Sequence, residues 1–114
     1  MCVAKKKCFV EFPRVTGFLS GQSAEINAEY REIVLKLETE GRLSMPFGEK
    51  LKGEEDLFAI RVINAGNVRV FYVYGKADNI YGIHGYTKKT QSIPQKELKQ
   101  ARQIVKALKH AGLI

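Results

Sequence analysis

Several features that would place a protein in a particular class are scarce or missing in this chain of 114 residues. Its two cysteines, Cys2 and Cys8, have no second cysteine pair and no histidine cluster beside them, so neither a disulfide framework nor a zinc site is indicated. No apolar run approaches the roughly 20 residues that a membrane span needs. Met1 to Ala4, followed by three lysines, does not have the pattern of a signal peptide. We therefore expect reduced cysteines, no metal, no cofactor and a cytoplasmic protein.

Acidic residues are scarce in the second half of the chain. Up to Asp56 there are 9 Lys and Arg against 10 Asp and Glu, a net charge of −1, whereas from Leu57 onward there are 10 against 2, a net charge of +8. This asymmetry predicts a polyanionic partner, with nucleic acid ahead of an anionic membrane. No repeat, low-complexity tract or linker divides the chain, and its 45% hydrophobic content suits one modest core. We expect a single domain spanning residues 1–114.

Hydrophobic periodicity predicts an α+β fold. Short connections between the last three strands indicate hairpins, hence a small antiparallel sheet with helices packed on one face and the other face free for a ligand. Ser23 is the expected N-cap of the longest early helix, and Gly41 its end. The predicted elements are a strand at 7–12, a helical turn at 15–19, a helix at 23–41, a loop at 42–56, strands at 57–64, 67–76 and 79–87, and a helix that starts near Pro94.

The last predicted helix carries an apolar and a basic stripe side by side. The apolar stripe, which should face the core, consists of Leu98, Ala101, Val105 and Leu108. The basic stripe lies about 100° around the helix and consists of Lys99, Arg102, Lys106 and Lys109.

Cations are also placed inside the predicted strands. Alternation puts Phe58, Ile60 and Val62 on one face and Arg61 on the other. The facing of Arg69 stays open, because both faces of its strand are apolar. In the third strand, alternation groups His84 and Tyr86 with Ile80 and Gly82, and Lys88 and Lys89 follow at the strand end.

Three motifs together resemble a known family. They are Leu57-Phe58-Ala59-Ile60-Arg61, then Arg69-Val70-Phe71-Tyr72, then His84-Gly85-Tyr86-Thr87-Lys88-Lys89-Thr90 followed by Pro94 and Glu97. This segment resembles the RelE/ParE superfamily of bacterial type II toxins, specifically its HigB-like, phage-derived branch. Two positions depart from the pattern: Ala59 stands where an acidic residue is common, and Ile93 where a threonine usually caps the helix.

The resemblance implies a toxin that cleaves mRNA on the ribosome and is neutralised by a helix-turn-helix antitoxin, with no membrane or metal involved. It implies attack by a ribose 2′-hydroxyl on its own 3′-phosphate. Arg61 and Arg69 would hold the phosphate oxygens. Lys88 or Lys89 would be the general base, because neighbouring cations lower a lysine pKa from about 10.4. The expected RNA-binding residues are Tyr72, His84, Tyr86, Thr90, Lys99 and Arg102.

Other interpretations remain open at this stage. A ParE-like toxin would poison DNA gyrase, and a non-catalytic phage-derived module would bind RNA without cutting it. Strand arginines are often surface ion-pair partners, and tyrosines more often pack than stack on bases. A lone histidine in an apolar strand, such as His84, is more often hydrogen-bonded core than a general acid. A helix-turn-helix reading frame beside this gene would favour the toxin interpretations.

Overall fold

The computed structural model of the protein describes residues 5–114, so Cys2 lies outside the described part. The α+β class is confirmed, and β5 has the predicted bounds. Within residues 5–114 no helix is both long and apolar enough to cross a membrane. The elements in chain order are β1 (Cys8–Glu11), α1 (Pro13–Ser20), α2 (Ala24–Glu40), β2 (Gly48–Lys50), β3 (Phe58–Val62), β4 (Val68–Tyr74), β5 (Asn79–Thr87) and α3 (Gln95–His110).

The ends of α2 follow the sequence signals closely. The Ser23 hydroxyl accepts a hydrogen bond from the backbone N–H of Ile26 at 3.1 Å, which satisfies one of the free donors of the first turn. Gly41 ends the helix in the left-handed conformation, with φ of 82°. Pro94 is the N-cap of α3. Local chemistry therefore fixed these boundaries.

The sheet has five strands in the order β1-β5-β4-β3-β2. The β3–β4 and β4–β5 pairs are antiparallel, as the short connections predicted. The sheet as a whole is mixed, because β1 pairs with β5 in parallel; the expectation of an antiparallel sheet was wrong in this respect. The segment predicted as a loop at 42–56 also contains an edge strand, β2, which pairs with β3. Strand direction and edge pairing depend on distant segments, which periodicity cannot report.

Helices cover both faces of the sheet, which corrects the expectation that they share one face. The helices α1 and α2 pack on the face that includes Ile60 and Val70. Helix α3 packs on the opposite face, through Ala101 and Leu108. The reason lies in β4, whose first six residues are all buried, so that both of its faces need cover. Helix α3 therefore covers part of the face that was predicted to be free.

A register shift in β5 changes which side chains share a face. Phe71 pairs with His84, but the next residue, Tyr72, pairs with Gly82, so Ile83 is an extra residue in its strand. Because such a bulge interrupts alternation, Ile83 and His84 both lie on the α3 side. The predicted grouping of His84 and Tyr86 with Ile80 and Gly82 was therefore wrong.

Two glycines of β5 allow aromatic rings of α1 and β1 to pack closely against the strand. A Cβ at Gly85 would lie 2.7 Å from Cδ2 of Phe18 on α1. A Cβ at Gly82 would lie 2.5 Å from Cζ of Phe9 on β1. A side chain at either position would require movement of an aromatic ring, so both glycines allow close packing on the face that α1 and α2 cover.

Candidate functional site

Three polar side chains form a row across the three central strands. Arg61 of β3 lies directly opposite Arg69 of β4. Tyr86 of β5 lies directly opposite Arg69 on its other side. Directly opposed residues of antiparallel strands share a face, so all three side chains project on the α3 side of the sheet. This settles the facing of Arg69 and confirms that of Arg61.

Arg69 is a buried cation with little to neutralise it. The residue is 4% exposed, and its Nη1 donates to the carbonyl oxygen of Val68 at 3.2 Å. Its Nε is buried without a hydrogen-bond partner in the described part of the chain. Burial, and then the nearby charge of Arg61, lower the pKa of Arg69. Burying the guanidinium charge of Arg69 therefore lowers the stability of the folded protein.

Arg61 is held by the segment that precedes β3. Its Nη1 donates to the carbonyl oxygen of Pro46 at 2.9 Å and lies 3.8 Å from the sulfur of Met45. Its Nε is 3.8 Å from Oε1 of Glu49 on β2 and, among residues 5–114, has no hydrogen-bond partner. Glu49 is thus the acidic group of this cluster. We call Glu49, Arg61, Arg69 and Tyr86 the arginine site.

Tyr86 brings an unused hydroxyl to the arginine site. The residue is 6% exposed, and its buried hydroxyl has no hydrogen-bond partner in the described structure. Burial raises the pKa of Tyr86 to about 12, although the charge of Arg69 acts in the opposite direction. Its ring stacks on that of His84, with centroids 6.4 Å apart and planes at 24°. The hydroxyl is therefore a protonated donor at neutral pH.

His84 connects β5 to the first turn of α3. Its Nε2 lies 2.6 Å from Oε1 of Glu97, and the histidine is 6% exposed. The pairing of Nε2 with Glu97 leaves this nitrogen engaged within the protein, and contact of His84 with RNA stays a prediction. The interpretation of His84 as a hydrogen-bonded core histidine is confirmed. The pair fixes α3 relative to Tyr86.

Lys88 and Lys89 lie beside Arg69, as the roles implied by the resemblance require. Asn67 makes two hydrogen bonds to Lys88 at the end of β5. Its backbone carbonyl oxygen accepts from the Lys88 N–H at 2.8 Å, and its side-chain Nδ2 donates to the Lys88 carbonyl oxygen at 2.7 Å. The hydroxyl of Thr90 donates to the carbonyl of Ser92, which fixes the following turn. An open depression of about 420 Å³, here called the lysine depression, is lined by Asn67, Arg69, Lys88, Lys89, Thr90 and Gln91. Arg69 belongs to both the depression and the arginine site.

Tyr72 cannot serve as a base-stacking platform, so that prediction was wrong. It is 1% exposed and lies in the core under α1 and α2, on the opposite face from the two arginines. Its ring stacks on that of Phe58, with centroids 5.5 Å apart. It has the packing role that the sequence left as the alternative.

The basic stripe of α3 is partly neutralised by the loop before β3. Arg102 makes a forked ion pair with Glu54, with distances of 3.0 Å from Nε and 2.6 Å from Nη2. Lys109 lies 3.1 Å from Asp56. The expected role of Arg102 in RNA binding therefore competes with this pair. Lys99 is exposed, and its contact with RNA stays a prediction.

Sequence similarity assigns the family. A family profile described as "Phage derived protein Gp49-like (DUF891)" matches residues 17–106, about four fifths of the chain. The chain belongs to the Gp49-like family. That family is a RelE/ParE-like toxin family, so the resemblance is confirmed at superfamily level. No curated protein matches the chain closely enough to refine this assignment.

The site of this Gp49-like protein includes groups that the sequence did not reveal. Glu49, Met45 and Pro46 lie in the segment interpreted as a loop, where Pro46, Gly48 and Gly53 outweighed the short run that forms β2. Glu97 was part of the motif but had no assigned partner. Among residues 5–114, no group of three or more His, Cys, Asp or Glu side chains is arranged to hold a metal ion.

Proposed function

We propose that this Gp49-like protein is a cytoplasmic toxin of the HigB-like branch that cleaves mRNA on the ribosome and pairs with a helix-turn-helix antitoxin. The observation that carries the proposal is the opposed pair Arg61 and Arg69, whose Nε atoms are both buried without hydrogen-bond partners among the described residues. Like charges placed directly across strands destabilise a sheet. Such an arrangement is typical of a site that holds an anion.

An RNA phosphodiester fits the arginine site and the lysine depression together. The two guanidinium groups would donate to the oxygens of the reacting phosphate, because a planar fork matches that geometry. Lys88 and Lys89 are on the far side of Arg69, where the neighbouring phosphates of the strand would lie. Single-stranded RNA presents its phosphates in such a series, which supports RNA over a single small anion.

The proposed reaction is an intramolecular transesterification, in which phosphorus keeps its 3′-oxygen and exchanges the 5′-oxygen of the next nucleotide for the neighbouring 2′-oxygen. The 2′-oxygen bonds to phosphorus while the bond from phosphorus to the 5′-oxygen breaks, which gives a 2′,3′-cyclic phosphate and a 5′-hydroxyl. Arg61 and Arg69 stabilise the extra negative charge of the five-coordinate state. The proton of the 2′-hydroxyl and a proton for the 5′-oxygen remain to be assigned.

We propose that Glu49 accepts the proton of the 2′-hydroxyl and that Tyr86 donates the proton to the 5′-oxygen. Glu49 lies 3.8 Å from the Nε of Arg61, next to the guanidinium groups that would hold the reacting phosphate, whereas Lys88 and Lys89 line the depression beyond Arg69. We therefore favour Glu49 over Lys88 or Lys89 as the acceptor of the 2′-proton. The unpartnered hydroxyl of Tyr86 beside Arg69 would donate to the leaving oxygen. In this proposal, the positive charges of Lys88 and Lys89 attract the phosphates of the bound RNA.

Cleavage in a translating extract tests this proposal. The purified wild type, Arg69→Met and Glu49→Gln are incubated with a translated message, and the cuts are mapped by primer extension. We expect cuts by the wild type, a loss of at least about 100-fold in Glu49→Gln, and a similar or larger loss in Arg69→Met. Arg31→Ala is the matched control, because Arg31 is an exposed cation of α2 on the other side of the sheet, and it should cut normally.

Two results would contradict the proposal and separate its rivals. Intact message together with inhibited DNA supercoiling by gyrase would indicate a ParE-like toxin. Message that is bound but left uncut, with no effect of Glu49→Gln, would indicate the non-catalytic RNA-binding module.

A further inference from the structure

An exposed thioether stands at the edge of the arginine site. Met45 has 63% of its surface exposed, more than the other exposed large hydrophobic side chains of residues 5–114. Its sulfur lies 3.8 Å from Nη1 of Arg61, and the same Nη1 donates to the carbonyl oxygen of Pro46. Pro46 is also exposed. A short apolar rim therefore adjoins the guanidinium group of Arg61, which is proposed to hold the phosphate.

The rim and the lysine depression lie on opposite sides of the arginine pair. Met45 and Pro46 contact Arg61, on the β3 side, whereas Lys88 and Lys89 adjoin Arg69, on the β4 side. A ligand whose phosphate is held between the two arginines thus has a polar, cationic surface in one direction and an apolar, uncharged surface in the other. A nucleotide has matching parts, since its phosphate is anionic and its base has an apolar face.

We propose that Met45 and Pro46 form a nucleobase subsite, in which the base attached to the reacting ribose packs on the Met45 thioether. The inference rests on the proposed function for the identity of the ligand, a ribonucleotide with a 3′-phosphate. A polarizable, unbranched side chain makes favourable contacts with a flat ring and adapts to its position. Met45 then influences which residue of a message is cut, while the arginines bind any phosphate.

Binding of two small probes tests the subsite without any need for cleavage. The affinities of the full chain for inorganic phosphate and for adenosine 3′-monophosphate are measured by calorimetry in a buffer free of other phosphate. We expect the nucleotide to bind about 3- to 10-fold more tightly than phosphate in the wild type, and Met45→Ala to remove that difference while the phosphate affinity stays the same. Met45→Leu should keep most of it.

The control is Leu35→Ala, which truncates another exposed apolar side chain, on α2. It should leave both affinities unchanged. Because Met45 and Leu35 are exposed, neither substitution should unfold the protein. Equal affinities of the wild type for the two probes, or an equal loss of both in Met45→Ala, would overturn the subsite.

The cleavage assay separates this inference from the proposed function. If the wild type cuts messages and Met45→Ala cuts the same positions at the same rates, the subsite is wrong and the function stands. If the wild type cuts nothing but binds the nucleotide through Met45, the subsite stands and the function is wrong.

Discussion

Replacing Arg69 by methionine should stabilise the protein while it removes the anion site. Methionine ends at about the position of the arginine Nε, so the substitution keeps an unbranched apolar stem and removes the guanidinium charge of a residue that is 4% exposed. Leaving a buried donor such as Nε without a partner costs about 1–3 kcal/mol. The like charge of Arg61 directly opposite adds about 0.2–1 kcal/mol. Loss of the hydrogen bond from Arg69 to the Val68 carbonyl oxygen lowers the free energy of unfolding by about 1 kcal/mol.

The expected net gain in the free energy of unfolding is therefore about 1–2 kcal/mol. For a domain of this size, that gain raises the melting temperature by roughly 3–10 °C. Urea and thermal unfolding in a low-salt buffer without phosphate would measure it. Added phosphate should then stabilise the wild type, because it binds the folded state, and should have little effect on Arg69→Met. Arg102→Met is the control, because the Arg102 side chain is 52% exposed, so its pair with Glu54 should contribute little to the free energy of unfolding, and this variant should keep the phosphate response.

Two outcomes would refute this reasoning. A loss of 1 kcal/mol or more in Arg69→Met, on the scale of a buried packing contact, would show that the guanidinium group holds the sheet together. An equal response of the wild type and Arg69→Met to phosphate would show that Arg69 does not hold the anion.

Three further predictions concern the reaction, the partner and the fold. Protein treated with EDTA and then returned to the Mg²⁺-containing translation extract should cleave as before and should leave a 2′,3′-cyclic phosphate, because guanidinium groups stabilise the charge; a 5′-phosphate product, or activity that the EDTA treatment abolishes, would contradict this. The antitoxin should place acidic residues on the lysine depression, so that Lys88→Glu with Lys89→Glu weakens binding and lowers its salt dependence; unaltered binding would move the interface elsewhere. Burial raises the pKa of Glu29, but its bonds from the N–H groups of Ala65, Asn64 and Ile63 outweigh burial and set the pKa below 4.5. The stability from these bonds is therefore present above about pH 4.5 and lost as the pH falls below it, and Glu29→Gln should unfold more easily at pH 7 with a flatter acid limb; an unchanged limb would count against this role.

Much of the local structure could be predicted from the sequence. The helix boundaries at Ser23 and Gly41 follow from capping chemistry, and the β5 bounds follow from a run of strand-forming residues between turns. The resemblance grouped Arg69 with Lys88 and Lys89, and the short β4–β5 connection brings them together. These features depend on neighbours within a few residues or on one short turn, so the sequence alone determined them.

The tertiary structure decided which side chains meet. The facing of Arg69 was ambiguous because β4 is apolar on both faces, and only packing of α3 on one side and of α1 and α2 on the other assigned it. Strict alternation groups His84 and Tyr86 with Ile80 and Gly82. The extra residue Ile83 instead places His84 and Tyr86 on the same face as the two arginines. Edge pairing of β2 brought Glu49 to Arg61 from a segment without a clear strand pattern. Each of these depends on hydrogen bonds and packing between segments far apart in the chain, and such contacts leave no local trace in the sequence.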